Sequence, residues 1–103
     1  MKGMFAGANS FNQNIGDWNT SNVTTMEIMF GRDPATPPSV FNQDISRWDT
    51  TNVTSMVGMF LNASAFNQNL SGWEVNNVQE CTDFSLNASN WTLDKPNFNN
   101  CSP

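Results

Sequence analysis

The chain has no histidine, which removes Ser-His and Cys-His nucleophile pairs and every His-ligated metal centre from consideration. Charge is nearly as scarce, because only 13% of the 103 residues are charged, about half the ~25% of an ordinary globular chain. Four basic residues against nine acidic ones give a formal charge of −5, with no basic run anywhere. A nucleic-acid partner is excluded on that ground, since phosphate binding needs clustered Lys and Arg, and anionic membrane surfaces are disfavoured for the same reason. No apolar run reaches the ~18 residues of a membrane span, so no transmembrane segment is expected. Met1-Lys2-Gly3 leads into repeat sequence rather than into the apolar core of a signal peptide. A Gly-rich phosphate loop is missing. None of Asp17, Glu27, Asp33, Asp44, Asp49, Glu74, Glu80, Asp83 and Asp94 builds the dense acidic pattern of a calcium loop. These absences predict a protein with no catalytic residues, metal or cofactor, and hence not an enzyme.

What is present is a phrase used over and over. Phe11-Asn12-Gln13-Asn14-Ile15 returns as Phe41-Asn42-Gln43-Asp44-Ile45 and Phe66-Asn67-Gln68-Asn69-Leu70, then in degenerate form as Trp91-Thr92-Leu93-Asp94-Lys95. The last two intervals are 25 residues and the first is 30, so one unit has been copied with an insertion. Each unit continues through Trp18, Trp48 or Trp73, then Val23, Val53 or Val78, then Met26, Met56 or Cys81. It closes on Met29-Phe30, Met59-Phe60 or, in this alignment, Asp83-Phe84. Gly3 to Ser10 matches the tail of the same unit. The chain therefore divides as a single repeat domain, 1–103, with a partial repeat at 1–10, repeats at 11–40, 41–65 and 66–90, and a C-terminal cap at 91–103. A period of this length is the signature of stacked units, each burying its apolar face against its neighbours.

Within a unit, Val23, Met26, Met29 and Phe30 form an apolar stripe at helical spacing, and Val53, Met56, Met59 and Phe60 repeat it. The stripe predicts a helix of about two turns, too short to stand without stacking. The Phe-Asn-Gln-x-Ile phrase, flanked by turn-prone pairs such as Gly16-Asp17 and Ser71-Gly72, predicts a short strand. Stacked in register, such strands would form a parallel sheet at ~4.8 Å spacing, with Asn12, Asn42 and Asn67 superposed in one ladder and Gln13, Gln43 and Gln68 in the next. The expected class is thus α/β, a short solenoid with a small parallel sheet and short helices. Its repeat core comprises Phe11, Phe41, Phe66, Trp18, Trp48, Trp73, Met29, Phe30, Met59 and Phe60. An exposed tryptophan row that stacks on sugar rings is the alternative, less favoured because these rings recur beside Phe and Ile.

The run from Phe41 to Phe60 resembles the roughly 25-residue repeat of bacterial surface proteins and mycoplasma lipoproteins, a relative of the BspA-type leucine-rich repeats. The resemblance covers nearly the whole chain and fails over residues 91–103. It implies a leucine-rich-repeat-like solenoid, display outside the cell, and roles in adhesion or surface architecture. It supplies no catalytic residue.

Three local features bear on function. Cys81 and Cys101, the only cysteines, stand in the terminal repeat and read either as a disulfide sealing that edge or as two reduced thiols with Cys81 in the core. The insertion carries Arg32, Asp33, Pro34, Pro37 and Pro38, a stiff loop that is either a partner-binding site or a tolerated surface bulge. Eight Asn-x-Ser/Thr sequons occur, of which Asn62 and Asn87 are candidate glycosylation sites if the protein is a secreted eukaryotic glycoprotein. The N-terminal end opens in mid-repeat without a comparable closure, which is expected if the chain is cut from a longer protein, if the end is shielded locally, or if it docks on another copy. The sequence therefore predicts a non-enzymatic extracellular or cell-surface structural module, self-associating through its solenoid ends into a filament or sheath. The alternative is an adhesion module binding a host protein or glycan.

Overall fold

Turn-forming positions recur with the repeat and set the path of the chain. In the computed structural model, which describes residues 1–31 and 39–103, Gly3, Ile28, Gly58 and Asp83 share a left-handed backbone, with φ of 63°, 55°, 61° and 57°. Each is the third residue of a tight turn closed by a backbone bond: Met4 N–H to Met1 C=O, Met29 to Met26, Met59 to Met56, and Phe84 to Cys81. A second turn follows at once, closed by Ala6 to Gly3, Gly31 to Ile28, Leu61 to Gly58 and Leu86 to Asp83.

These turns overturn the expected fold class. Among the described residues there is no helix, and β-pairing is limited to the isolated parallel bridges Thr25–Ser55 and Ser55–Glu80. The α/β solenoid with helices and a parallel sheet, leucine-rich-repeat-like as the resemblance implied, is not formed. The physical reason lies in the stripe itself. Its spacings of three come from successive turn corners that all face inward, not from a helical period. A helical nucleus is costly to form, and the alternate N–H groups that would close it are used elsewhere, between layers. Met26, Ile28 and Phe30 donate to the carbonyls of Ser55, Val57 and Met59 at 3.0, 2.9 and 2.8 Å. Met56, Gly58 and Phe60 donate in the same way to Glu80, Thr82 and Phe84 at 2.8, 3.0 and 2.8 Å.

This register also corrects the alignment of the last unit. Phe84 accepts from Phe60 as Met59 accepts from Phe30, so Phe84 occupies the methionine position. Ser85 then stands where Phe30 and Phe60 stand, and the pairing of Asp83-Phe84 with Met59-Phe60 is out by one residue.

Residues 1–7 add a half layer over the second half of the first unit. The Met1 ammonium, Gly3, Phe5 and Gly7 donate to the carbonyls of Thr25, Glu27, Met29 and Gly31. The resulting stack buries two interleaved phenylalanine columns. Phe5, Phe30 and Phe60 succeed one another at 5.6 and 5.4 Å between ring centroids. Phe11, Phe41 and Phe66 do so at 5.8 and 5.9 Å. Cross-contacts Phe5–Phe11, Phe30–Phe41 and Phe60–Phe66 are each 4.2 Å, with the rings nearly parallel. Offset stacking of this kind suits the ring quadrupoles. At the C-terminal end the columns stop, because Trp91 and Phe84 meet Phe60 edge-on at 77° and 76°. Met26, Met29, Met56, Met59, Ile45, Leu70, Val53 and Val78 fill the rest of the interior.

Two buried threonines show how polar groups are kept satisfied between layers. Thr20 and Thr50 donate their hydroxyls to the carbonyls of Asp49 and Glu74, one layer on, at 3.0 and 2.7 Å. In the last unit the same position is Val75, also buried, and no hydroxyl is left without an acceptor.

Candidate functional site

The phrase Phe-Asn-Gln-x-Ile does superpose its asparagines, but as a substitute for strand pairing. Asn12 Oδ1 accepts the Asn42 N–H at 3.0 Å, Asn42 Oδ1 accepts the Asn67 N–H at 2.8 Å, and Asn67 Oδ1 accepts from Thr92 and Leu93. Gln43 and Gln68 donate their side-chain amides to the carbonyl and Oδ1 of Asn12 and Asn42 respectively, at 3.0–3.2 Å. A second amide ladder escaped the sequence reading: Asn52 and Asn77 donate to the carbonyls of Ser21 and Thr51, and Asn100 continues it onto Asn76, each at 2.6 Å. Recurrence of Asn22, Asn52 and Asn77 was its signal, but a capping role accounts for the same residues.

The two ends of the stack differ. At the C-terminal end Trp91 Nε1 donates to Gln68 C=O, Leu70 N–H donates to Asp94 C=O, and a disulfide joins Cys81 to Cys101. Cys81 is buried in the core and Cys101 packs against it, so residues 91–101 are tied down over the last repeat. A shallow polar depression of about 510 Å³ lies there, lined by Ser71, Leu93, Asp94, Lys95, Pro96 and Asn97. Lys95 Nζ sits 5.1 Å from the Trp91 ring centroid.

Among the described residues, no layer covers residues 11–24 on their N-terminal side. Trp48 and Trp73 are 3% and 5% exposed and donate Nε1 to Ile15 and Ile45 of the preceding layer, at 2.9 and 3.1 Å. Trp18 is 42% exposed, so the expectation that it belongs to the core fails, because its burial needs a neighbour on that side. Phe11 and Val23 are half-buried where their counterparts are fully enclosed. Among the described residues, no acceptor meets the Asn12 N–H, the Gln13 amide, Trp18 Nε1, the Asn22 amide or the Thr24 N–H.

The remaining candidate residues fall as follows. Arg32, Asp33, Pro34, Pro37 and Pro38 lie outside the described residues. Asn62 is 6% exposed with φ of 60°, and its Oδ1 accepts from Asn87 Nδ2 at 3.0 Å, so it does not present an amide on the surface for a glycan. Asn87 is exposed, but that same Nδ2 is engaged.

Asp44 and Asp49 sit in turns that also accept neutral Asn. Asn14 Oδ1 accepts from Gly16 N–H and Asn19 Oδ1 from Ser21, as Asp44 does from Ser46 and Asp49 from Thr51. Donation from the Ser46 side chain and backbone holds the Asp44 carboxyl below the usual range, and Thr51 does the same for Asp49. Arg47 pairs with Asp17 at the surface, and Lys2 with Glu27 at 3.4 Å. Among the described residues no group of three or more acidic or cysteine side chains is placed to hold a metal ion. No helix among them is long and apolar enough to cross a membrane.

No curated protein and no solved structure matches the chain significantly. A family profile, described as Mycoplasma protein of unknown function, DUF285, matches residues 1–99. A match over that span means that the chain belongs to the DUF285 family.

Proposed function

We propose that this chain is a non-enzymatic structural repeat module of the cell surface or extracellular space, which assembles end to end into a filament or sheath. The observation that supports this reading is how layers join: each meets the next through one recurring set of main-chain, indole and side-chain amide bonds, and the donors of that set recur on residues 11–24, where they meet no acceptor among the described residues. A disulfide fits an oxidising compartment outside the cytosol, and the uncharged amide and hydroxyl surface fits the same setting. Two such faces brought together would oppose N–H to N–H. Assembly therefore uses a different surface on the second copy, and a contact of that type propagates unless its rotation closes a ring. The test is light scattering with negative-stain imaging of the disulfide-intact chain at rising concentration. Linear polymers are expected. Monodisperse particles of one chain at high concentration would refute assembly and favour adhesion to a host protein or glycan.

A further inference from the structure

We infer that two Asn-x-Ser sequons other than those at Asn62 and Asn87, namely Asn69-Leu70-Ser71 and Asn19-Thr20-Ser21, are the positions at which the folded chain carries N-linked glycans. The inference rests on the extracellular setting of the proposed function and not on end-to-end assembly.

Attachment replaces one hydrogen of the Asn Nδ2 by a sugar, so the fold must hold that nitrogen at the surface with space around it. Most of the eight sequons fail this requirement, because their amide nitrogen is spent between layers. Asn52 and Asn100 donate Nδ2 to the carbonyls of Ser21 and Asn76 at 2.6 Å, and Asn87 donates to Asn62 Oδ1 at 3.0 Å. A sugar on any of these nitrogens would have to enter the seam between two bonded layers. Asn62 is itself buried. Asn22 stands in the column of Asn52 and Asn77, where the amide turns toward the adjoining layer. Asn90 is exposed, but its sequon runs through the buried Trp91 to Thr92, whose N–H and hydroxyl are both bonded to Asn67.

Asn69 and Asn19 are arranged in the opposite sense. Asn69 Oδ1 accepts from the Ser71 N–H at 3.0 Å and the Ser71 hydroxyl at 2.7 Å, and Asn19 Oδ1 accepts from the Ser21 N–H and hydroxyl at 3.1 and 2.6 Å. With the oxygen turned back onto the chain, Nδ2 is the outward atom, and among the described residues it meets no acceptor. Exposure at these positions does not depend on which layers are present. Asn14, Asp44 and Asn69 are exposed in three successive layers, as are Asn19, Asp49 and Glu74. Beside the Asn69 turn, the polar depression of about 510 Å³ lined in part by Ser71, Asp94 and Asn97 leaves room for the first sugar.

The reaction joins Nδ2 to the anomeric carbon of a lipid-diphosphate-linked oligosaccharide, the activated donor of a membrane-bound transferase. The C–N bond forms as the anomeric C–O bond breaks, the lipid diphosphate leaves with the bonding pair, and the displaced N–H proton passes to a base on the transferase. Nothing is oxidised or reduced.

The test is export of the full chain through the secretory pathway of a eukaryotic host, with intact mass measured before and after enzymatic removal of N-glycans and the modified asparagines located by peptide mass spectrometry. The disulfide-intact product should carry two glycans. Asn69→Asp and Asn19→Asp should each remove one, and both together should leave none. Asp44 and Asp49 already form the same turns, so these variants keep the local fold. Ser71→Ala, which retains Asn69 and deletes only its sequon, should remove the same glycan as Asn69→Asp. A disulfide-intact chain without glycans, with a glycan at only one of the two positions, or with glycans at any of the other sequons would overturn the inference. An unglycosylated product that polymerises would leave the proposed function standing and defeat this inference. Glycans at both positions on a chain that stays monomeric would do the reverse.

Discussion

Phe11, Phe41 and Phe66 open the same phrase, and truncating each to alanine is the same chemical change in nearly the same local sequence. The stack predicts that the costs differ. Phe66 is fully buried, 4.2 Å from Phe60, 4.8 Å from Trp91 and 5.9 Å from Phe41 by ring centroid. Phe41 is similarly enclosed by Phe11, Phe30 and Phe66. Phe→Ala at sites of this kind costs about 3–5 kcal/mol from lost transfer energy and the cavity left behind. Phe11 touches Phe5 and Phe41 and is open on its third side, so about half that loss is expected, roughly 1.5–2.5 kcal/mol. Against a total of ~5–15 kcal/mol for a chain of this size, either central truncation is severe. At ~4–8 °C per kcal/mol, Phe66→Ala should lower Tm by at least about 12 °C. Urea titration of the oxidised proteins by tryptophan fluorescence, with m-values compared, measures all three. Equal destabilisation by Phe11→Ala and Phe66→Ala would refute the layered arrangement with an open N-terminal end.

Ile28 is a β-branched residue held at φ 55° where Gly3 and Gly58 occupy the equivalent turns; relieving a left-handed backbone is worth about 1–2 kcal/mol. Because Ile28 is 39% exposed, its packing offsets only part of that, and thermal unfolding of Ile28→Gly should show an equal or higher Tm. Cys101→Ser removes a cross-link spanning 20 residues, with an expected loss of ~3 kcal/mol. Hydrogen exchange should then accelerate at Trp91 and Thr92 while Met26 and Phe30 stay protected. Asp44 and Asp49 are held ionised by donors present only in the fold, so the native state binds fewer protons than the unfolded chain. Their contribution is complete above the usual carboxylate value of ~3.9 and is lost as pH falls through their lower native values. Asp44→Asn with Asp49→Asn preserves both turns, so the urea midpoint should fall less between pH 6 and about 2.5 than in the parent chain; an unchanged fall would show that these carboxyls are not responsible.

Repetition at 25 residues made the register of the stack legible, since identical side chains at a fixed interval must superpose when layers do. It did not reveal how the backbone travels between them. Val23, Met26, Met29 and Phe30 satisfy a helical template and a series of inward turn corners equally well, and only the left-handed residues distinguish the two. One of those residues, Ile28, is a β-branched type that does not announce a positive φ. The strand expectation failed for a related reason: Asn12 and its equivalents spend their side-chain oxygens on the neighbouring backbone, doing the work of a sheet without its ladder. Exposure of Trp18 was not legible because burial in a layered molecule belongs to the pair of layers, and nothing in the residue's own unit says whether a neighbour is present. Interchange of Asn14 with Asp44 and of Asn19 with Asp49 was legible as a sign against catalysis, and the turns explain it: either side chain supplies the one oxygen needed.

The two sides of each layer donate in opposite directions. Met26, Ile28 and Phe30 send their N–H groups toward the following layer, whereas Asn42, Thr54 and Gln79 send theirs toward the preceding one. Peptide dipoles of ~3.5 D that add head to tail in a helix are here set against one another. Lengthening such an array by further units accumulates less charge separation between its extremities than a helix of the same length would, because part of each layer's dipole is offset within the layer.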